Sequence, residues 1–259
     1  ALAVAALSLV PGPAADAPST TAFTNATIHT AVGAPIEKGT LVVRAGKIVA
    51  VGPAAEVKVP DGAKTVDLAG SVVIPGMVDA HSHVGLWSRP TVPANSDGNE
   101  GSGPVQPGIR AIDSFNPQDP GVKMAVAGGV TTANVMPGSA NVIGGATIYV
   151  KYRGNTVEEM RVEGKLPAGT VVVGGLKMAN GENPKGYGRN KKQAPFTRMK
   201  VAALQREQFV KAKEYKAKLD AKKPVDRDLA METLVEVLER KRTVHFHCHR
   251  ADDLMTAIR

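Results

Sequence analysis

Short runs of alternating apolar and polar residues, parted by turn residues, make up the first readable part of the chain. Ala26-Thr27-Ile28-His29-Thr30 alternates within a strand predicted over residues 22–30. Residues 39–44 and 47–52 give two more strands on either side of Ala45-Gly46, and 65–68 and 71–74 complete the set. Strands this short with glycine turns predict a small β-sandwich or half-barrel over residues 20–74. His29 lies far in sequence from the other histidines and reads as structural.

From Pro75 onward the pattern changes to strand followed by helix. Strands are predicted at 77–81, 130–136, 146–151, 170–178 and 243–249. Helices are predicted at 120–127, with Asp119 as N-cap and Gly128 as C-cap, and at 156–161, 196–222 and 226–241. A last helix opens near Asp252. A loop rich in Gly, Pro, Ser and Asn runs from residue 85 to 108, and loops of that length are usually functional or mobile. Five strands alternating with helices over residues 75–259 argue for a parallel β/α architecture, which a doubly wound sheet and a TIM barrel both satisfy. None of the Gly-Gly pairs at 128–129, 144–145 and 174–175 forms a dinucleotide-binding fingerprint.

The ends and the charge refine this picture. An apolar run over residues 1–10, followed by Pro11-Gly12 and Ala15-Asp16-Ala17, has the form of a secretory h-region and cleavage site. It is too short to span a bilayer. Residues 1–19 are therefore expected to be a signal-peptide remnant or a disordered leader, and the location extracytoplasmic, periplasmic or secreted. The chain stops inside a predicted helix, so a fragment of a longer protein is expected. A single cysteine, Cys248, excludes an intrachain disulfide. It alternates away from its histidine neighbours and reads as buried structure. The net charge of +8 is local, because residues 185–223 hold 13 Lys/Arg against 3 Asp/Glu. Lys211, Lys213, Lys216 and Lys218 circle a predicted helix and do not form one stripe, and no aromatic platform accompanies them. That is the pattern of a solvated helix face, not of a nucleic-acid surface.

The chemistry lies in histidines. His81 and His83 end the strand at 77–81, and His245, His247 and His249 lie along the strand at 243–249. Residues two apart in a strand share a face, so each group presents its imidazoles together. If strand ends converge on one mouth, the two groups can meet around one or two metal ions. His245 would then sit deeper, leaving His247 or His249 as the ligand from the later group.

Ile74-Pro75-Gly76-Met77-Val78-Asp79-Ala80-His81-Ser82-His83 follows a small β-domain that contains Gly46-Lys47-Ile48-Val49-Ala50-Val51-Gly52. Together they resemble the amidohydrolase superfamily, more narrowly its imidazolonepropionase-like and Xaa-Pro dipeptidase (prolidase)-like branch. Gly129–Ala133 resembles that branch's second strand, and His247–Asp253 its fifth. The resemblance covers residues 22–259. It implies a TIM (β/α)8 barrel, truncated after about five strands and preceded by a small composite β-sandwich. It implies a metal-dependent hydrolase of C–N bonds in amides, cyclic amides or peptides, using one or two divalent ions, with zinc expected. His81 and His83 would hold the more buried metal, and His247 would be the fifth-strand ligand with His249 as the fallback. Lys177 sits where a bridging, often carboxylated, lysine is expected, and Glu182 is the alternative anionic ligand. Asp79 could orient a ligand histidine. The Asp that shuttles the proton, and a further His, come from later strands in this superfamily. No catalytic carboxylate is therefore assigned within the chain, and the fragment alone is expected to be inactive. Asp252 and Asp253 read as acids at a helix N-terminus. The expected partner is a small-molecule or peptide-like substrate, with no nucleic acid and no stable membrane span; a homo-oligomer is compatible. Two competing readings are a non-catalytic binding protein on the same scaffold and a basic surface-binding module.

Overall fold

A computed structural model of the chain describes residues 19–162, 164–165, 171–172 and 174–259. The expected leader, up to residue 18, lies outside the described residues, as do Thr170 and Val173 of the strand predicted at 170–178. The chain divides into two compact units, one up to Pro75 and one from Gly76.

The described residues of the first unit form one five-stranded sheet. β1 (Thr20–Ile28) pairs antiparallel with β2 (Ile36–Arg44), and β2 with β3 (Lys47–Pro53). β4 (Lys64–Asp67) and β5 (Val72–Val73) lie one after the other along the opposite edge of β1, both parallel to it. Ala45 and Gly46 turn the β2–β3 hairpin with φ of +49° and +72°. Two positive φ values suit the twist of the flanking strands. Ala22, Ala26 and Ile28 are buried at even spacing, so one face of β1 carries the small core with Val42.

The second unit contains the five expected strands in sequence order. β6 (Met77–Ser82) runs parallel to β7 (Val130–Val135), with helix α1 (Pro120–Ala127) between them in the chain. The third strand is broken at Thr147 into β8 (Ile143–Ala146) and β9 (Ile148–Lys151). β9 pairs with β7, and β8 with β12, both antiparallel. This corrects the expectation of an all-parallel arrangement, and the cause is the connection. Only residues 136–142 join β7 to β8, whereas a parallel crossover needs a dozen residues or more.

Helix α2 (Val157–Met160) is closed by a capping box from Thr156 and Glu159. β10 (Gly164–Lys165) pairs antiparallel with β11 (Val171–Val172). β12 (Gly175–Ala179) then leads into α3 (Glu182–Lys191), α4 (Arg198–Asp220) and α5 (Leu229–Leu238). β13 (Thr243–His247) pairs parallel with β12, and α6 (Ala251–Ile258) follows. The pairings make β6, β7, β12 and β13 run in one sense, so their C-terminal ends lie on one side.

Two apolar clusters support these strands. Leu86, Phe115, Val122, Val135, Ile148 and Met160 pack around β7, β9 and α1. Val142, Leu176, Val201, Ala212, Leu234 and Val235 pack β8 and β12 against α4 and α5. Among the described residues no helix is long and apolar enough to cross a membrane.

Candidate metal centre

Lys177 is the largest of the fully buried side chains, at 1% exposure, and it projects from β12 into the space below the strand ends. Its Nζ lies 3.2 Å from His81 Nε2 and 3.4 Å from Met136 Sδ. Among the described residues no carboxylate pairs with it. Burial pushes its pKa down to about 8, because an ammonium removed from water without an anion is penalised.

His81 and His83 meet edge to edge, with ring centroids 5.1 Å apart. Between them Ser82 points the other way and is buried, 3.4 Å from the Tyr152 hydroxyl, as strand alternation requires. His83 Nδ1 lies 2.7 Å from the Met136 carbonyl. A carbonyl can only accept, so Nδ1 carries the proton and the Nε2 lone pair is free for a ligand. Burial lowers the pKa of both rings, with Lys177 adding to the effect, and so keeps them neutral. Asp79 accepts from the backbone N–H of His81 at 3.0 Å, so its direct grip is on the chain leading to the rings.

From β13, His245 lies opposite Lys177 in the parallel register and His247 opposite Ala179. His245 sits deeper, over Gly175, where any Cβ would collide with the ring, and its Nε2 is 3.0 Å from Asn134 Nδ2. His247 and His249 face each other, Nε2 to Nε2 at 3.4 Å. His249 Nδ1 accepts from the Glu182 backbone N–H at 3.2 Å, which places the proton of a neutral His249 on Nε2 and directs it at His247. Burial, His249 and Lys177 lower the pKa of His247. The Glu182 carboxylate itself is exposed and engaged by Arg198 at 2.7 Å and Lys185 at 3.2 Å, which hold it below the usual carboxylate range. Asp253 accepts from Arg198 Nε at 2.8 Å and from the N–H groups of His249 and Arg250. Its burial would raise its pKa, yet these donors hold it low, and its place is the start of α6 as expected. The half-buried Cys248 thiol is pushed up by burial and so stays protonated.

The structure thus places His81, His83 and His247 at the C-terminal ends of β6 and β13, with Lys177, midway along β12, reaching His81. Among the described residues no three His, Cys, Asp or Glu side chains gather around one point. Beyond the effect of burial, His247 is near enough to His81 to lower its pKa, and Lys177 lies 3.2 Å from His81 Nε2 with no carboxylate beside it among the described residues. The donor set fits a divalent ion in chemistry, with neutral imidazoles and a free Nε2 on His83, and lacks one anion.

Further groups hold this set in place. Met136 supplies both a carbonyl to His83 and a sulfur to Lys177. Asn141, fully buried, accepts from Glu100 N and donates to the carbonyls of Glu100 and Gly103, which orders the long loop. That loop and the segment Gly138–Ala140 line an open cleft of about 530 Å³ beside His83. Trp87 is a wall of this cleft, edge-on to His83 at 4.9 Å.

No protein-family model matches the chain. Among curated proteins it is 32% identical over 218 residues to amidohydrolase tasK of Hapsidospora irregularis, covering 78% of this chain and 22% of that protein. A crystal structure of an amidohydrolase from Thermotoga maritima MSB8 superposes with a TM-score of 0.82 at 44% identity, covering 92% of this chain and 60% of the other. The chain therefore spans about a fifth of the curated relative and three fifths of the solved one.

Proposed function

This chain belongs to the amidohydrolase superfamily, and we propose that the whole protein is a metal-dependent hydrolase of C–N bonds in amides, cyclic amides or peptides. We also take its five strands as the first part of a closed β/α barrel and its small sheet as part of a composite β-domain. Within the superfamily we place it in the imidazolonepropionase-like and prolidase-like branch, on the motif ending in His81-Ser82-His83.

One observation carries the reading: Lys177 is buried among imidazoles without an anion. An amine with a pKa near 8 is partly neutral at pH 7 and can attack carbon dioxide. The ammonium first gives up one proton; the neutral amine's nitrogen–carbon bond then forms as one C–O π bond of carbon dioxide opens, and a second proton leaves, so the cationic side chain becomes an anionic carbamate. That conversion supplies the negative ligand that the donor set lacks. His81, His83 and His247 would hold the ion, with the carbamate of Lys177, whose Nζ lies 3.2 Å from His81 Nε2, as the anionic ligand. A divalent ion held there supplies Lewis acidity and an acidified water at neutral pH. The chain's own residues do the positioning. Met136 fixes the His83 tautomer, and Asn134 and Gly175 keep His245 below the site. His249 must release His247 Nε2 before that nitrogen can bind a metal. Of the two anionic alternatives, Lys177 is favoured over Glu182, whose carboxylate Arg198 and Lys185 already occupy.

The test is hydrolysis of amide and cyclic-amide substrates by the full-length protein, with metal content measured alongside. Replacement of His81 or His83 by Ala is expected to remove bound metal and to lower turnover by about 100-fold or more. Turnover that persists without bound metal would contradict the reading.

A further inference from the structure

The cleft beside His83 has a lining that is polar yet without free charge. Asn99, Ser139, Asn183, Tyr187 and Asn190 line it, and no Lys or Arg does so among the described residues. Its one carboxylate, Glu182, is engaged by Arg198 and Lys185. Asn99 Oδ1 accepts from Ala140 N at 3.1 Å, which leaves its Nδ2 as a donor. Asn183 Nδ2 donates to Ser139 Oγ at 2.5 Å, which leaves its Oδ1 as an acceptor. Spare donors and acceptors together match a carboxamide, which presents one of each kind. Trp87 adds a flat wall. A Cβ on Gly98 would collide with its ring, and one on Gly138 would stand 2.5 Å from it, so the ring occupies space that two glycines leave clear.

We propose that this cleft receives an uncharged, amide-bearing arm of the substrate, laid against Trp87 while the scissile bond sits at the His81–His83 end. The proposal rests on the hydrolase reading above. A substrate arm ending in a carboxylate would lose water here and find no cation, a cost that neutral amides avoid. A cationic arm would find the Glu182 carboxylate already neutralised.

The test uses the metal-loaded full-length protein and two probes, an N-acetyl amino-acid amide and the matching free acid, with binding measured by calorimetric titration. The amide is expected to bind at least about fivefold more tightly, the scale of one or two satisfied hydrogen bonds. Asn183→Lys supplies the missing cation on an exposed helix position without touching His83 or Lys177. It is expected to shift the amide-to-acid ratio at least about tenfold toward the acid, as a new charged partner would. Trp87→Ala is expected to weaken both probes. Tighter binding of the acid to the unsubstituted protein, no binding of either probe, or a ratio unmoved by Asn183→Lys would each overturn the proposal. Metal content and turnover are read on the same samples. Amide preference without metal or turnover leaves the cleft assignment standing and removes the hydrolase reading. Turnover with acid preference does the reverse.

Discussion

Lys177 is fully buried and, among the described residues, has an imidazole nitrogen and a thioether as its polar neighbours. Below pH 8 both the native and the unfolded chain protonate it, so the native state bears the whole burial penalty. Between pH 8 and the unfolded value near 10.5 only the unfolded chain keeps the proton, so stability rises with pH across that window. The shift corresponds to a penalty on the order of 3 kcal/mol as an upper bound. In metal-free full-length protein, Lys177→Met is therefore expected to be more stable at pH 7 by about 1–3 kcal/mol in urea unfolding. It should also lose the rise in stability above pH 8, while binding no metal. A variant less stable than the parent at pH 7 would contradict this account of the lysine. The alternating histidines were legible from strand period and residue type, whereas Lys177 entered only through the family resemblance. Met136 and Asn134 were not legible, since nothing local marks a carbonyl 53 residues from His83 or an amide 111 residues from His245.

Elements fix where those residues point, and Asp119 shows how. It caps α1, as its position before Pro120 predicts, by accepting from Gly121 N at 2.9 Å. It also accepts from Gly85 N at 2.9 Å and Arg89 N at 3.2 Å, tying the segment after His83 to the helix. Asp119→Ala leaves these donors, the buried Gly85 N–H among them, without their partner. A loss of about 2–3 kcal/mol in unfolding free energy is expected. Faster amide exchange at Gly85 and Arg89 should accompany it, and exchange no faster than in the parent would rule out the tie. Gly175 is a second case, because strand geometry there leaves no room for a Cβ beside His245. Gly175→Val is expected to displace that ring and lower the thermal midpoint by several degrees, about the effect of 1–3 kcal/mol. The strands and the long helices were legible from period and capping residues. The antiparallel third strand was readable from the short connection before it, had loop length been weighed against strand sense. Helix α3 was hidden by Pro184, Gly186 and Gly188, which argue against a helix locally. Tertiary contacts offset them, with Tyr187 donating to the Glu100 carbonyl and Glu182 pairing with Arg198.

On the scale of the whole molecule, the basic stretch proves to be largely the flank of α3 and α4. Lys185, Arg198, Lys211 and Lys216 each pair with an acid. We propose that the stretch is not a nucleic-acid surface, so no duplex-DNA retardation is expected at about 0.15 M salt, where phosphate binding by scattered lysines is weak. Retardation that persists at that salt would restore the surface-binding alternative. The arrangement of β6, β12 and β13 matters more for function, since it brings two histidine groups about 160 residues apart in sequence to one side of the unit, with Lys177 reaching His81. The most direct test of that arrangement is the zinc content of the metal-depleted full-length protein after reconstitution with and without bicarbonate. At least one ion per chain is expected, taken up more completely with bicarbonate, and lost on His83→Ala or Lys177→Ala. Failure to take up a divalent ion, or uptake indifferent to bicarbonate and to both substitutions, would contradict the assignment of Lys177 as the group that completes the site.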